Sequence, residues 1–270
     1  MPELPEVEHM TRGLQRWLAG ARLRAVSALD PALMAQGDPA TLVGEVVRRC
    51  TRRAKYSVVH TSGPALVLHY RMTGKALPAA LGGDRAARLR LGVADRDDVL
   101  FVDPRRLGKA WVVPESGLAA FFEARGLGPD VWPAPRDADW WAARLGAARG
   151  AIKGALLDQG RVAGVGNIGA CESLWRARID PRAVPRDLAP AAWSALAAAV
   201  PAWIDATLAA ETAPEIHYVT QGGPNPFTVY RREGQPCLRC GAPLASFRQA
   251  GRGTTWCPAC QTVGRATGAA

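Results

Sequence analysis

Apolar residues first recur at helical spacing between Glu6 and Gly20. The residues that share this face are Val7, Met10, Leu14, Trp17 and Leu18. Gly20 then ends the pattern, as glycine often does just past the last turn of a helix. The sequence therefore predicts an amphipathic helix near the amino terminus.

From about Arg22 to Val113, short runs rich in β-branched residues replace the helical pattern. They include GEVVRRC, YSVVHT, ALVLHY, ARLRLGV and VLFVD, and turns such as DRDD separate them. Alternating runs of this length, bounded by Gly, Pro and Asp, are typical of strands. Many such strands in succession indicate a β-sandwich or a barrel.

From about Gly117 to Glu211 the chain is rich in Ala and Leu at helical spacing. Its anchoring tryptophans are Trp140, Trp141, Trp175, Trp193 and Trp203. The most apolar window, 191–210, is interrupted by Pro201 and Asp205, so it predicts packed helices and no membrane span. The predicted fold is α+β: a helix with a β-sandwich, then a helical domain, then a small cysteine-rich segment.

Four cysteines form two CxxC pairs near the carboxyl terminus. They are Cys237, Cys240, Cys257 and Cys260. Two such knuckles supply four thiolates to a tetrahedral zinc ion, the arrangement of a closed structural site. A redox role would require a thioredoxin-like βαβ context, which the sequence lacks. One structural Zn²⁺ on a β-hairpin is therefore predicted, while Cys50 and Cys171 are interpreted as buried thiols.

The charge balance favours a polyanionic partner. With 34 Lys and Arg against 24 Asp and Glu, the formal net charge is +10, and nucleic acid is the first candidate. A GC-rich coding bias explains the preference for Arg over Lys but not the net charge. Residues 1–15 carry acids where a signal peptide has a basic region and an apolar run, so a cytoplasmic protein is expected, in the bacterial cytosol or nucleoid.

Several clusters carry candidate chemistry, although each taken alone has an ordinary structural explanation. RRAKY (52–56) and DPRRLGKA (103–110) place basic residues at turns, where a solvated face is the alternative. Met72 lies at a loop tip, where an apolar side chain is able to wedge into a base stack or simply to pack in a core. GVGN (164–167) precedes a helical run, so its backbone N–H groups would point at a phosphate.

Taken together, these motifs resemble a known family. MPELPEVE at residues 1–8, RRAKY, MTGK, DPRR, AIK, GVGN followed by Glu172, and the C-terminal knuckles occur in this order in formamidopyrimidine-DNA glycosylases, whose wider family includes the endonuclease VIII type. The resemblance covers nearly the whole chain. It implies a catalytic β-sandwich domain at 1–115, a helix-two-turn-helix domain at 116–230 and a zinc finger at 231–265, with double-stranded DNA in the cleft between domains.

The resemblance also implies the reaction. Removal of the initiator methionine would leave Pro2 as the amine nucleophile, with Glu3 as the catalytic acid. Lys55 would contact the backbone at the lesion and aid catalysis, and Arg252 would grip phosphate and donate a proton for δ-elimination. The activity implied is that of a bifunctional DNA glycosylase and AP lyase, acting as a monomer on duplexes with damaged bases or abasic sites and not on membranes.

Further matched positions are implied to meet DNA. They are Met72, Arg88, Arg105, Arg106, Leu107, Arg149, Lys153, Asn167 and Glu172. Met72, Arg105 and Leu107 match residues that fill the gap left by the flipped base, and Glu172 matches a glutamate that supports the active site. Arg106, Arg149 and Asn167 match phosphate-contacting positions, whereas Lys153 is a basic residue shortly upstream of the GVGN turn.

The sequence departs from the family pattern at four places. Leu107 stands where the purine-specific branch usually has Phe, Arg88 where a histidine often lies, and Gly169 where an aromatic residue is usual. The loop 217–227 is shorter than in the purine branch and lacks the G-Y/W-F element that clasps flipped 8-oxoguanine, which points toward the oxidised-pyrimidine branch. Oxidised purines are the expected substrates, with oxidised pyrimidines or abasic sites as the alternative. A non-catalytic protein that binds damaged DNA is the alternative from another class.

Overall fold

The computed structural model describes residues 2–82, 86–211, 213, 215, 216 and 225–264. Two compact units divide the chain. The first comprises residues 1–125 with 208–224, and the second comprises 126–207 with 225–270.

The first unit contains two β-sheets. The four-stranded sheet has the order β1 (Leu23–Ala28), β7 (Ala87–Val93), β8 (Val99–Val102) and β6 (Lys75–Pro78). The five-stranded sheet has the order β2 (Met34–Gln36), β9 (Lys109–Val113), β5 (Ala65–His69), β4 (Tyr56–Thr61) and β3 (Val47–Arg53). Neighbouring strands run antiparallel except β2 and β9. Short helices α2 (Ala79–Gly82) and α3 (Leu118–Glu123) accompany these sheets.

The amino-terminal helix α1 (Leu4–Leu18) packs against β3, β4 and β6. Val7, Met10, Leu14 and Leu18 are buried in the main core, as the apolar spacing predicts. Burial of each such side chain contributes about 1.5–3 kcal/mol. The helix begins two residues before the predicted Glu6, at Leu4, because a capping box between Glu3 and Glu6 closes its first turn. Gly20, with φ of +79°, lies just beyond its end.

The second unit is helical at first. It contains α4 (Ala138–Leu145), α5 (Ile152–Leu157), α6 (Asn167–Arg176) and most of α7 (Pro190–Ala210). The turn between α5 and α6 holds the GVGN motif, and α6 begins at Asn167 with Gly166 as its N-cap. The chain then forms an antiparallel hairpin of β10 (Ala245–Gln249) and β11 (Arg252–Trp256), between the two CxxC pairs. The α+β prediction is confirmed in its helix, sheets, helical region and hairpin.

Helix α7 is long and apolar enough to cross a membrane by length and composition alone. Such a helix is weak evidence for a span, because the core helix of a soluble protein satisfies the same criteria. The helix carries five large buried residues, as packing within the protein predicts: Trp193, Leu196, Val200, Trp203 and Ile204. It continues through Pro201 and Asp205, so the window forms one helix and the predicted interruption is wrong.

Candidate functional site

The start of α1 holds Pro2 and Glu3, the two residues with predicted chemistry. Both are buried, and Glu3 is the N-cap of the helix. A reciprocal capping box fixes this turn: the Glu3 N–H donates to Glu6 Oε2 at 2.8 Å, and the Glu3 carboxylate accepts from the backbone N–H of Glu6. The helix N-terminus directs its positive potential toward the Pro2–Glu3 segment.

Glu6 is only 4% exposed. Burial raises its pKa to about 7, and the nearby Glu3 carboxylate adds to the rise, while the backbone N–H groups of Glu3 and Glu6 oppose it. A carboxyl group that exchanges its proton near neutrality therefore lies one helical turn from the predicted nucleophile.

The raised pKa of Glu6 predicts a pH-dependent stability. Because the folded-state pKa lies above the ordinary 4.5, the stabilising contribution is complete below pH 4.5 and is lost as the pH rises toward about 7. The loss amounts to about 3 kcal/mol. Glu6→Gln keeps the acceptor oxygen and should flatten the difference in unfolding free energy between pH 5 and pH 8, measured by urea denaturation. Glu123→Gln, at an exposed position, should leave it unchanged.

Lys55 lies in the two-residue turn between β3 and β4, where Arg53 pairs with Tyr56. Ala54 adopts a left-handed conformation with φ of +52° in this turn. Arg52 holds the turn by donating to the Ala54 carbonyl oxygen at 2.9 Å and to Glu8 Oε2 at 3.1 Å. Since Glu8 belongs to α1, the Lys55 turn is tied to the helix that presents Pro2 and Glu3.

The buried carboxylate of Asp103 organises the loop with the predicted gap-filling residues. It accepts from the backbone N–H groups of Leu107 and Gly108 at 2.7 Å and of Arg105 at 3.2 Å. The Thr73 hydroxyl, next to Met72, donates to the same carboxylate. Leu107 is left 41% exposed and Arg105 is exposed, while Met72 is half-buried. This role of Asp103 was not predicted from the sequence, although Asp103 opens the DPRR motif.

Replacing Asp103 should disrupt this loop. Asp103→Asn places an amide N–H₂ group among backbone donors, so at least one buried donor loses its acceptor. We expect a loss of about 2–4 kcal/mol in unfolding free energy, since bonds to a buried charge contribute about 1.5–3 kcal/mol each. Chemical denaturation measures the loss. Asp97→Asn, at an exposed turn, should be neutral, and an unchanged stability in Asp103→Asn would contradict the organising role.

Arg106 forms a two-pronged ion pair with Asp30, at 2.8 Å from Nε and 2.9 Å from Nη2. These hydrogen bonds hold the pKa of Asp30 below its ordinary value, despite the burial of that carboxylate. Arg88 donates to the Asp103 carbonyl oxygen at 3.0 Å and lies 3.9 Å from Asp30. The Arg106 side chain remains 61% exposed, so its remaining N–H groups are accessible to a phosphate.

Three residues of the second unit are predicted to bind DNA: Arg149, Lys153 and Asn167. Arg149 is exposed just before α5. Asn167 donates through Nδ2 to the Gly253 carbonyl oxygen at 3.0 Å. Lys153 is fully buried and donates to the same oxygen at 3.1 Å and to Thr254 Oγ1 at 2.6 Å. The structure therefore places Lys153 beneath the hairpin as a support, which differs from the direct DNA contact expected from the sequence.

Glu172 is also buried, on α6, and it fastens the segment ahead of the zinc knuckles. Its carboxylate accepts from the backbone N–H groups of Thr228, Val229 and Tyr230 at 2.9–3.1 Å, and from the Thr228 hydroxyl. The glutamate therefore acts by fixing this segment. Residues 217–224, which contain most of the shortened loop noted in the sequence, lie outside the described residues.

The four knuckle cysteines are brought together as predicted. Their sulfur atoms all lie within 4.8 Å of one another, with 4.0 Å between Cys237 and Cys260 and 3.6 Å between Cys240 and Cys257. A tetrahedral zinc ion with Zn–S bonds of about 2.3 Å needs sulfur separations of about 3.8 Å, so the cluster fits the ion. Burial raises the pKa of Cys237, but donors led by the Arg239 N–H and the Trp175 indole lower it, to about 6.

Arg252 is the first residue of β11, where it is exposed and pairs with Gln249 of β10. Next to it is a cavity of about 520 Å³. Its lining includes Asn167, Arg231, Arg248 and Gly253. The lining also includes Glu233, so two guanidinium groups face one carboxylate, and the basic residues are in excess, which suits a phosphate.

Gly169 explains one departure from the family pattern. A Cβ atom at this position would lie 2.5 Å from the Trp203 ring, which is too close for any side chain. Trp203 on α7 therefore occupies the space beside Gly169, and an aromatic residue at 169 is incompatible with it.

Three family models match the chain in the order of its sheets, helical region and four-cysteine hairpin, and together they define its class as that of zinc-finger DNA-repair glycosylases. Residues 1–110 match the formamidopyrimidine-DNA glycosylase N-terminal domain, and 127–215 match the formamidopyrimidine-DNA glycosylase H2TH domain. Residues 234–263 match the zinc finger found in FPG and IleRS.

Curated relatives agree with the family models. A formamidopyrimidine-DNA glycosylase from Roseiflexus sp. (strain RS-1) is 37% identical, over 97% of this chain and 100% of its own length. One from Sphingopyxis alaskensis is 35% identical with the same coverage. The chain belongs to the formamidopyrimidine-DNA glycosylase family, and it binds one structural zinc ion.

Solved structures of the family share the fold. A Lactococcus lactis Fpg in complex with DNA containing an abasic site superposes with a TM-score of 0.86, at 28% identity, covering 96% of this chain and 99% of that one. The same enzyme in complex with DNA containing N7-benzyl-Fapy-dG gives a TM-score of 0.85, at 27% identity and the same coverage.

Proposed function

We propose that this protein is a bifunctional DNA glycosylase and AP lyase that removes oxidised purines, such as 8-oxoguanine and formamidopyrimidines, from double-stranded DNA. The observation that carries the proposal is the Pro2–Glu3 pair at the capped start of α1 in a member of this family. The division of the chain into catalytic (1–115), helix-two-turn-helix (116–230) and zinc-finger (231–265) parts belongs to this proposal. We also propose that the protein acts as a monomer on DNA in the bacterial cytosol or nucleoid. Membership of the family is consistent with a soluble intracellular protein.

The chemistry follows from the type of amine. A free α-amine has a pKa of about 7.7–8.0, so a sizeable fraction is neutral in the cytosol, unlike a lysine. After removal of Met1, the neutral Pro2 nitrogen attacks C1′ of the flipped nucleotide. The N–C1′ bond forms as the bond from C1′ to the base breaks, and the base leaves with a proton. Glu3 shuttles protons to and from the sugar during ring opening.

The covalent intermediate then leads to strand cleavage. Because proline is a secondary amine, its adduct is an iminium that stays cationic and withdraws electrons from the sugar. Loss of a proton from C2′ breaks the C3′–O bond in β-elimination, and a second elimination breaks the C5′–O bond. In this proposal Lys55 contacts the backbone at the lesion, and Arg252 grips a phosphate and donates the proton for the second step.

The remaining predicted residues divide into two groups in the proposal. Met72, Arg105 and Leu107, held around Asp103, fill the gap left by the extruded base, with Arg105 facing the orphaned partner. Phosphate contacts come from Arg88, Arg106, Arg149 and Asn167. Lys153 and Glu172 support these contacts from buried positions, given their hydrogen bonds to the hairpin and to the 228–230 segment.

Two alternatives remain distinct from this proposal. The first is the same chemistry on oxidised pyrimidines or abasic sites, which the short loop 217–227 favours. The second alternative is a non-catalytic protein that binds damaged DNA. Binding alone does not require a free proline amine beside a buried glutamate, so Pro2 and Glu3 argue against it.

Borohydride trapping on a substrate panel tests the proposal. The processed protein is incubated with duplexes containing 8-oxoguanine, a formamidopyrimidine, 5-hydroxycytosine or an abasic site, and the covalent adducts are quantified. We expect the fastest trapping on the two purine lesions among the damaged bases. Fastest trapping on 5-hydroxycytosine would select the pyrimidine alternative, and no adduct on any duplex would overturn the enzyme assignment.

A further inference from the structure

Trp175, near the end of α6, directs its indole N–H at one of the zinc-binding sulfurs. The Nε1 atom donates to Cys237 Sγ at 3.4 Å, within the range of hydrogen bonds to sulfur. Both residues are buried, with Trp175 8% and Cys237 3% exposed. The donor to Cys237 is thus a side chain, whereas Cys257 Sγ accepts from the Cys260 backbone N–H.

Arg239, between Cys237 and Cys240 in sequence, holds the indole in this orientation. Its guanidinium carbon lies 4.2 Å from the centre of the Trp175 ring, in a cation–π contact. Its Nη1 donates to the Trp175 carbonyl oxygen at 2.9 Å, and its backbone N–H lies 3.5 Å from Cys237 Sγ. One residue of the first knuckle therefore clamps the ring, the backbone of α6 and the metal-binding sulfur together.

The hydrogen bond from Trp175 to Cys237 should strengthen zinc binding, because it stabilises the negative charge of a zinc-bound thiolate. A Zn²⁺ ion held by four cysteines leaves excess negative charge on the sulfurs, and a buried N–H donor stabilises that charge. Outer-sphere donors of this kind orient the ligand and typically change metal affinity by about 10–100-fold. Without the indole donor, one buried hydrogen bond to the Cys237 sulfur is lost.

The same helix carries two residues of the candidate DNA-binding surface. Asn167, at its start, donates to the Gly253 carbonyl oxygen of the hairpin, and Glu172, in its middle, fastens residues 228–230. Trp175 lies one turn further along α6. The hydrogen bond from Trp175 to Cys237 therefore links a zinc-binding sulfur to the helix that positions these contacts.

We propose that Trp175 is an outer-sphere partner of the zinc ion, whose indole N–H stabilises the Cys237 thiolate and retards loss of the metal. Trp175 is a positioning residue and takes no part in the reaction on DNA. The proposal rests on the zinc site and is independent of the glycosylase assignment.

The test compares zinc release from wild-type, Trp175→Phe and Trp203→Phe proteins. Phe at 175 keeps an aromatic ring for Arg239 to stack on and removes the N–H donor together with the five-membered ring, a loss of volume that Trp203→Phe matches. Trp203 is a matched control because it is buried in the same unit, packs beside Gly169 of α6, and has no hydrogen-bond partner for Nε1 in the part of the chain that the structure describes. Each protein is loaded with one zinc ion, and transfer to a chromogenic chelator is followed by absorbance.

We expect release to be about 10–100-fold faster in Trp175→Phe and close to wild type in Trp203→Phe. Equal rates in all three proteins would overturn the proposal, and so would equal acceleration in both variants, which would indicate a general packing effect. No DNA is used, so this outcome is separate from that of the trapping experiment.

A second measurement does not depend on a variant folding. In wild-type protein loaded with ¹¹³Cd in place of zinc, the indole proton of Trp175 should show scalar coupling to the metal through the N–H···S hydrogen bond. An assigned Trp175 indole proton without such coupling, and in fast exchange with water, would overturn the proposal.

Discussion

Insertion of one alanine between Met1 and Pro2 should abolish the borohydride-trapped adduct on every duplex. Processing would then leave alanine at the amino terminus, and the proline nitrogen would become a tertiary amide with no nucleophilic lone pair. We expect strand cleavage to fall by about 10³-fold or more, because loss of a covalent nucleophile removes a whole reaction path. Quantitative trapping and single-turnover cleavage measure the loss.

Pro5→Ala is the matched control for the alanine insertion. Pro5 is the other proline of the octet and occupies the second position of α1, where its effect is confined to starting the helix. The variant should retain the adduct and nearly the full rate. Persistence of the wild-type adduct in the insertion protein would assign the nucleophile to another amine.

Cys257→Ser should release the zinc ion and prevent the hairpin from folding. Structural zinc contributes about 10–16 kcal/mol of binding free energy in small cysteine-rich modules, far more than the hairpin gains from its own packing. We expect affinity for an abasic duplex to fall at least about 100-fold, because Arg252 and the Gly253 carbonyl bound by Asn167 belong to this hairpin. Zinc content by atomic absorption and binding by fluorescence anisotropy measure both effects.

Cys50→Ser is the control for Cys257→Ser. Cys50 is a half-buried thiol on β3, outside the four-cysteine cluster. Its replacement should leave one zinc ion per chain and wild-type affinity. If Cys257→Ser bound DNA as tightly as wild type, the hairpin would have no part in the DNA interface.

Repeating patterns made the main architecture predictable. The face of α1 follows from the 3.6-residue period, since one side of the helix packs on the sheets. The strands follow from β-branched runs, and the zinc cluster follows from the CxxC spacing, which leaves little freedom in how four thiolates meet. The start of α1 was less predictable, because a capping box between two glutamates begins the helix two residues ahead of the apolar pattern.

The parts that escaped prediction depend on contacts between residues distant in sequence. Lys153 looks like a surface cation, but its ammonium group lies under a hairpin about one hundred residues further along the chain. Asp103 looks like a turn residue, but its carboxylate also binds Thr73 from another loop. In both cases residue type predicted the charge, while only the tertiary fold determined the partner.

The contact between Gly169 and Trp203 carries an evolutionary consequence. The ring at 203 and a side chain at 169 compete for one volume, so neither position is free to change alone. Relatives with an aromatic residue at the position of Gly169 should carry a smaller residue at that of Trp203, and the two positions should covary across the family. In this lineage, enlarging 169 first would be deleterious, whereas shrinking 203 first would only leave a cavity, so the order of the two substitutions is constrained.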